Sequence, residues 1–311
     1  MNLFMKVPAF SCEVYMDSNV NRKLKNKSHL RDVMFPADAD ILPPSDDRIF
    51  KTLLIHPDAR QVLIDVVSTV IERKVVDVQI RNNEVSITDV NEKAERFDVN
   101  CTVENGDQVD VEMHCSKREE TGEKRTNFIN KCTYYLADLH SSQKSRGVMY
   151  KDMVRTFQVT FSTHTVFPAR SDFVSKFSLR TADGEQFGNQ LNIVIIELDK
   201  LKNLLGKPVE NLTSFEKWSL FLKYAADPVH RDLINDIIKE KEEIGMAATI
   251  LREISKDERE RAIFRSRQMA ETDRISDLLT AEERGMIRGR EEGREEERLV
   301  IARNFVNYNL L

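Results

Sequence analysis

Residues 97–115 read FDVNCTVENGDQVDVEMHC, and their alternation decides the architecture around them. Phe97, Val99, Cys101 and Val103 share one parity, while Asp98, Asn100, Thr102 and Glu104 share the other. On the return, Val109, Val111, Met113 and Cys115 alternate with Asp110, Glu112 and His114. Side chains of a strand switch faces at every residue, so each segment is predicted to be a strand with one oily and one polar face. Asn105-Gly106 lies between them and accepts the positive φ that a hairpin turn requires. Both oily faces share a side only if the loop holds an odd number of residues, most simply three. Asp98 then stands opposite Glu112 or His114, depending on where the loop begins. Two carboxylates meeting on one sheet face make a natural site for a hard divalent cation. A magnesium ion prefers octahedral oxygen ligands, and the Met113 carbonyl is available to join the two acids. The alternative is a polar face turned to solvent, which is common in antiparallel sheets. Cys101 and Cys115 fall on the oily parity and are expected to be buried free thiols.

Upstream, Pro43-Pro44-Ser45-Asp46 is helix-start chemistry. The segment after it predicts two short helices broken near His56-Pro57, with Leu63, Val66, Val67, Val70 and Ile71 marking a buried face. Residues 75–80 (VVDVQI) predict a strand and 85–88 (VSIT) a second one. Downstream, 116–125 reads as a charged loop and 127–145 as a long helix. Phe128, Cys132, Tyr135, Leu136 and Leu139 form its apolar stripe. Lys131, Asp138 and Gln143 are assigned to its polar side, and Gly147 is the expected stop. Strands are predicted at 156–162, 173–181 and 191–198, the last apolar enough to be covered on both faces. Beyond about residue 205 the pattern is helical, with Phe215, Trp218, Leu222 and Tyr224 in phase. From Asp257 to Arg303 charge dominates, with Gly285, Gly289 and Gly293 four residues apart. That stretch reads as a solvated, partly frayed helix or as a weak self-association tail. The expected organisation is an arm over 1–35, a core over 36–205 and a helical C-terminal region over 206–311. The fold class is α/β, a mixed central sheet flanked by helices.

Composition narrows the function. The 311 residues are 41% hydrophobic, enough for one large core or two modest ones. No run of eighteen apolar residues occurs, so no membrane-spanning helix is expected. The first residues lack a charged leader, a sustained apolar segment and a small-residue cleavage site. The four cysteines form no CxxC pair, and a reducing, cytoplasmic setting fits them best. A net charge of −5 means that any nucleic-acid binding must come from local basic patches. One such patch follows the hairpin at Lys117, Arg118, Lys124, Arg125 and Lys131, diluted by Glu119, Glu120 and Glu123. Another lies in the arm at Arg22, Lys23, Lys25, Lys27 and Arg31. The histidines at 29, 56, 140, 164 and 230 show no metal-ligand spacing. P-loop, GxSxG and dinucleotide fingerprints are absent.

The arrangement of Asp98, thirteen intervening residues, Glu112 and then His114, with a helix on each side, resembles the PD-(D/E)XK nuclease superfamily. The chain is more closely similar to the Rpn-type recombination-promoting nucleases, the PD-(D/E)XK nuclease family transposases. Asp47-Arg48-Ile49-Phe50-Lys51 matches that family's DxxFK opening, Phe97-Asp98-Val99 its first acidic strand, and Val109 to Met113 its glutamate strand. Lys131, Tyr135, Gln143, Gly147 and Tyr150 match the following helix pattern, with Lys in place of Arg. Ile196 to Lys200 and Trp218 match the late strand and helix. The resemblance runs from about Asp46 to the C-terminus and is carried by the ordered set of motifs. It implies a restriction-endonuclease-like core and cleavage of DNA phosphodiesters with Mg2+ or Mn2+. Asp98, Glu112 and the Met113 carbonyl would hold the ion, with Asp47 in an acidic or supporting role. His114 stands where the superfamily places Lys and this family usually places Gln. Lys51 or Lys131 would then supply the missing cation. The other reading is a relative that keeps the fold as a DNA-binding or protein-interaction module without cleavage.

Overall fold

The computed structural model describes residues 33–81, 98–116, 122–143 and 149–308, the side chains of Asp98 and of 305–308 excepted. The strand read at 85–88, the basic cluster of the arm, and Lys117 and Arg118 lie outside the described residues. The chain divides into two compact units, and the change between them falls after Glu253.

The first unit is built on a six-stranded mixed sheet in the order β1-β2-β3-β4-β6-β5. The strands are β1 (Val78–Arg81), β2 (Asp98–Val103), β3 (Gln108–His114), β4 (Thr156–Ser162), β5 (Val174–Ser178) and β6 (Leu191–Glu197). β1, β2 and β3 run antiparallel; β4 joins β3 in parallel and β6 joins β4 in parallel, while β5 pairs antiparallel to β6. The hairpin closes through Val103 N to Asp107 O at 3.0 Å and Gly106 N to Val103 O at 2.8 Å. That leaves Glu104, Asn105 and Gly106 as a three-residue loop, with Gly106 at φ +89°, where a side chain would be strained. An odd loop therefore sets the register, and Asp98 pairs with Glu112 rather than His114.

Helices α1 (Asp47–Leu54), α2 (Arg60–Val70), α3 (Gly122–Ser141), α4 (Ser214–Tyr224), α5 (Arg231–Glu240) and α6 (Glu242–Lys256) follow in chain order. Asp46 caps α1, its carboxylate accepting from Arg48 N and Ile49 N. The oily sheet face carries Val99, Val111, Val159 and Val194 in one register row across four strands, all buried. Ile49, Phe50, Leu53, Leu63, Val66 and Val67 are among the buried residues of α1 and α2, and the Phe50 ring lies 5.7 Å from that of Phe161. Each such side chain contributes about 1.5–3 kcal/mol by leaving water. Long-range polar clasps complete the unit. Trp218 donates to Asp65 at 2.6 Å, and Asn235 exchanges two hydrogen bonds with the Phe35 backbone.

Several boundaries differ from the sequence reading for local reasons. β1 starts later than predicted because Val76 N and Asp77 N donate to the Glu104 carboxylate instead of entering the ladder. α3 takes up Gly122–Arg125 from the stretch read as loop. β5 ends at Ser178, after which Arg180 bridges to Gln186 in a separate turn. Cys101 is buried as expected, but Cys115 is exposed. The ladder stops at His114, so alternation no longer governs Cys115, whose thiol donates to Ser45 O at 2.9 Å.

In the second unit, α7 (Glu258–Tyr308) is a continuous 51-residue helix rather than a frayed one. At 1.5 Å per residue it extends about 76 Å. Its apolar side chains, such as Met286, Leu299 and Ile301, are mostly exposed. Among the described residues, no helix is long and apolar enough to cross a membrane.

Candidate active site

The other sheet face is polar across three strands. Asp98, Glu112 and Thr160 form one register row; Asn100, Asp110 and Gln158 form the next; Thr102, Gln108 and Thr156 form a third. A solvated polar hairpin face would leave these residues open. Instead Asp110 is 2% exposed and Glu112 5%, with Gln108, Thr156, Gln158 and Thr160 also buried. α3 lies over β4 and β6 on this side and makes the burial possible. Phe128 and Cys132 of α3 pack with Ile195 and Val166, and the Cys132 sulfur sits 3.7 Å from Thr160 Oγ1. Burial pushes the Cys132 thiol up to about 12. A hydrogen bond from Thr160 opposes that rise, while the charges of Glu112 and Asp110 add to it. Cys101 is likewise pushed up to about 12 by burial, with Asp110 adding to it.

Lys131, read on the polar side of the helix and as a candidate cation for the site, turns toward the sheet. Its ammonium forms an ion pair with Glu112 Oε1 and lies 5.3 Å from the centre of the Tyr135 ring. The apolar stripe of Phe128, Cys132 and Leu136 is buried as predicted. The long aliphatic stem lets Lys131, one position before Cys132, swing its charge under the helix while remaining 37% exposed. Gln143, also assigned to the polar side, bonds inward to Val154 and to Thr156 Oγ1 at 2.8 Å. His140 Nδ1 meets the same hydroxyl at 2.8 Å, and burial lowers its pKa from the ordinary 6.5.

The remaining predicted residues occupy defined places. His114 closes β3, half-buried, with its ring 4.6 Å from that of Phe128. Met113 buries its side chain on the oily face, so only its backbone carbonyl is available to an ion. Asp47 stands in the first turn of α1, where its Oδ1 accepts from Arg48 N at 2.8 Å; the capping role belongs to Asp46. The Cys115–Ser45 bond brings the start of this helix to the end of β3. Lys51 is 4% exposed on α1. Of the basic patch after the hairpin, Lys124 is exposed and Arg125 lies 5.1 Å over the Phe167 ring.

The donor chemistry fits a hard divalent cation. Glu112 offers a carboxylate, its register partner Asp98 is a second acid, and oxygen is the ligand such ions select. Among the described residues, no three His, Cys, Asp or Glu side chains gather as a ligand set. The sequence reading did not single out Asp110 or Gln158, although the hairpin parity already placed Asp110 beside Glu112. Gln158 sits within an apparently ordinary strand, TFQVTFS. Neither of its amide atoms has a hydrogen-bond partner, although the residue is fully buried. An unmet buried polar group costs about 1–3 kcal/mol, so its retention asks for a reason.

A family model described as PD-(D/E)XK nuclease family transposase matches residues 44–281. No curated protein and no solved structure gives a significant match.

Proposed function

From the premise that the chain belongs to the PD-(D/E)XK nuclease family transposases, we propose that it is a divalent-metal-dependent DNA endonuclease acting in recombination or mobile-element biology. The observation that carries this reading is the register pairing Asp98 with Glu112, on a face where Glu112 also receives the Lys131 ammonium. Nucleases of this superfamily generally use divalent metals. Asp98 and Glu112 would hold the ion, with the Met113 carbonyl as a third oxygen. Mg2+ or Mn2+ bound there supplies Lewis acidity toward a phosphoryl oxygen and lowers the pKa of water.

The chain's own residues supply the rest. Lys131 carries the fixed positive charge that His114 lacks above neutral pH, and its N–H groups are donors for a non-bridging phosphate oxygen. Its exposed flank leaves it accessible to a DNA backbone. His114, anchored against Phe128, donates when protonated and accepts a proton from water when neutral. Asp47, in the first turn of α1, supports the site as a further acid.

A second reading, a cleavage-incompetent nuclease fold serving as a DNA-binding or protein-interaction module, draws on two observations. His114 occupies the usual Lys or Gln position, and Lys131 already neutralises Glu112. Plasmid nicking separates the two. Wild type with Mg2+ or Mn2+ is expected to nick, chelator to abolish nicking, and Asp98→Asn or Glu112→Gln to lower it about 10²–10³-fold. Equal nicking by wild type and both variants would sink the endonuclease reading. Absence of nicking with retained salt-sensitive DNA binding would favour the second.

A further inference from the structure

Two residues before Glu112, on the same polar face, Asp110 stands between its register partners Asn100 on β2 and Gln158 on β4. Asn100 Oδ1, Gln158 Oε1 and Gln158 Nε2 are buried and lack hydrogen-bond partners. In the adjoining row, Thr102 Oγ1 and Gln108 Oε1 are in the same condition. Gln158 is 0% exposed, and the β3–β4 register sets it on Asp110's face. Neighbouring strands lie about 4.8 Å apart, so Asn100 and Gln158 flank Asp110 at about one strand spacing on either side. Buried polar atoms in folded proteins nearly always find partners, and a cluster of exceptions asks for a physical reason, of which a bound ion is one. Four of these five atoms are oxygens, and they border a carboxylate. A hard cation takes oxygen lone pairs from carboxylates, carboxamides and hydroxyls together.

We propose that the Asn100–Asp110–Gln158 row is a second cation site, for a hard divalent ion, set behind the Asp98–Glu112 pair. Thr102 and Gln108 extend its supply of oxygen. The row is distinct from the pair assigned to cleavage, because every one of its three members lies in a different register row from Glu112. An ion there places positive charge on the polar face two residues along β3 from the acid that holds the reacting ion.

The test is a Mn2+ titration of the full chain, followed by the electron paramagnetic resonance signal of free Mn2+. Wild type is expected to bind two Mn2+ per chain. Gln158→Leu and Asp110→Asn are each expected to bind one, as is Glu112→Gln through loss of the other ion. Near-UV circular dichroism establishes that each variant is folded, and Asn100→Ala replaces any variant that is not. A single Mn2+ in wild type that survives Gln158→Leu would overturn the proposal, leaving the row as a water-filled or frustrated core. Two ions retained by both Gln158→Leu and Asp110→Asn would overturn it as well. A drop in Gln158→Leu with none in Glu112→Gln would uphold the row while removing the ion from the Asp98–Glu112 pair, so the two readings fail separately.

Discussion

The two faces of the central sheet are made by the same strands and could hardly be more different. On one, Val99, Val111, Val159 and Val194 form an unbroken apolar row beneath the helices. On the other, one residue along each strand, Asp110 and Gln158 carry polar groups to the same depth of burial, with Asn100 half-buried beside them. The first face is what folding asks for: surface removed from water with nothing left unmet. The second leaves buried amide and hydroxyl atoms without partners. The difference teaches where stability has been conceded. A fold keeps such groups at places whose chemistry needs them, and this face is where Asp110 and Glu112 lie.

The contrast can be broken most severely by moving a carboxylate across the sheet. Val111→Asp would bury an unpaired charge among valines one residue from Glu112. It is expected to lower unfolding stability by about 4 kcal/mol or more, enough to prevent folding of a marginal domain. Urea denaturation checks this, and a folded Val111→Asp chain of near-normal stability would erase the distinction between the faces. Next in size is Lys131→Met, which keeps the stem but removes the charge. Nicking is expected to fall about 10–100-fold, with recovery in Lys131→Arg, since the family pattern carries Arg there. Unchanged nicking by the methionine variant would show that the ion pair with Glu112 is structural only.

The smallest effect concerns pH and the far end of α3. Burial lowers the pKa of His140 from 6.5, so the unfolded chain takes up this proton more readily than the folded one. Its contribution to stability is therefore full above pH 6.5 and is lost as pH falls through the lower folded value. Urea midpoints between pH 7.5 and 5 are expected to decline less steeply in His140→Gln than in wild type. Identical slopes would mean that Thr156 and Gln143 hold the helix end without reference to the imidazole's charge.

Much of this is legible in the amino-acid sequence alone. Parity in 97–115 marks both strands and Asn105-Gly106 marks the turn, but where the loop begins, and so whether Asp98 meets Glu112 or His114, is decided only by the fold, which pairs it with Glu112. What the alternation could not reveal was whether its polar side met water, because that depends on where α3 lands after a parallel crossover. Likewise, the polar side of α3 holds Lys131 and Gln143 without revealing that both reach the sheet. Helical spacing gives the direction of Cβ, not the reach of a four-carbon stem or an amide toward a neighbouring strand. Cys115 was misread for a complementary reason: the strand ended one residue earlier, and its thiol turned to Ser45. Gln158 left no periodic signal, since one polar residue in a buried strand reads as noise until its missing partners are counted.

The most direct test of the account is the anomalous difference density of a crystal soaked in Mn2+. The account predicts a peak about 2.0–2.6 Å from carboxylate oxygens of both Asp98 and Glu112, with the Lys131 ammonium displaced from Glu112. A well-ordered polar face with no peak there, and Lys131 still paired to Glu112 at saturating Mn2+, would contradict it.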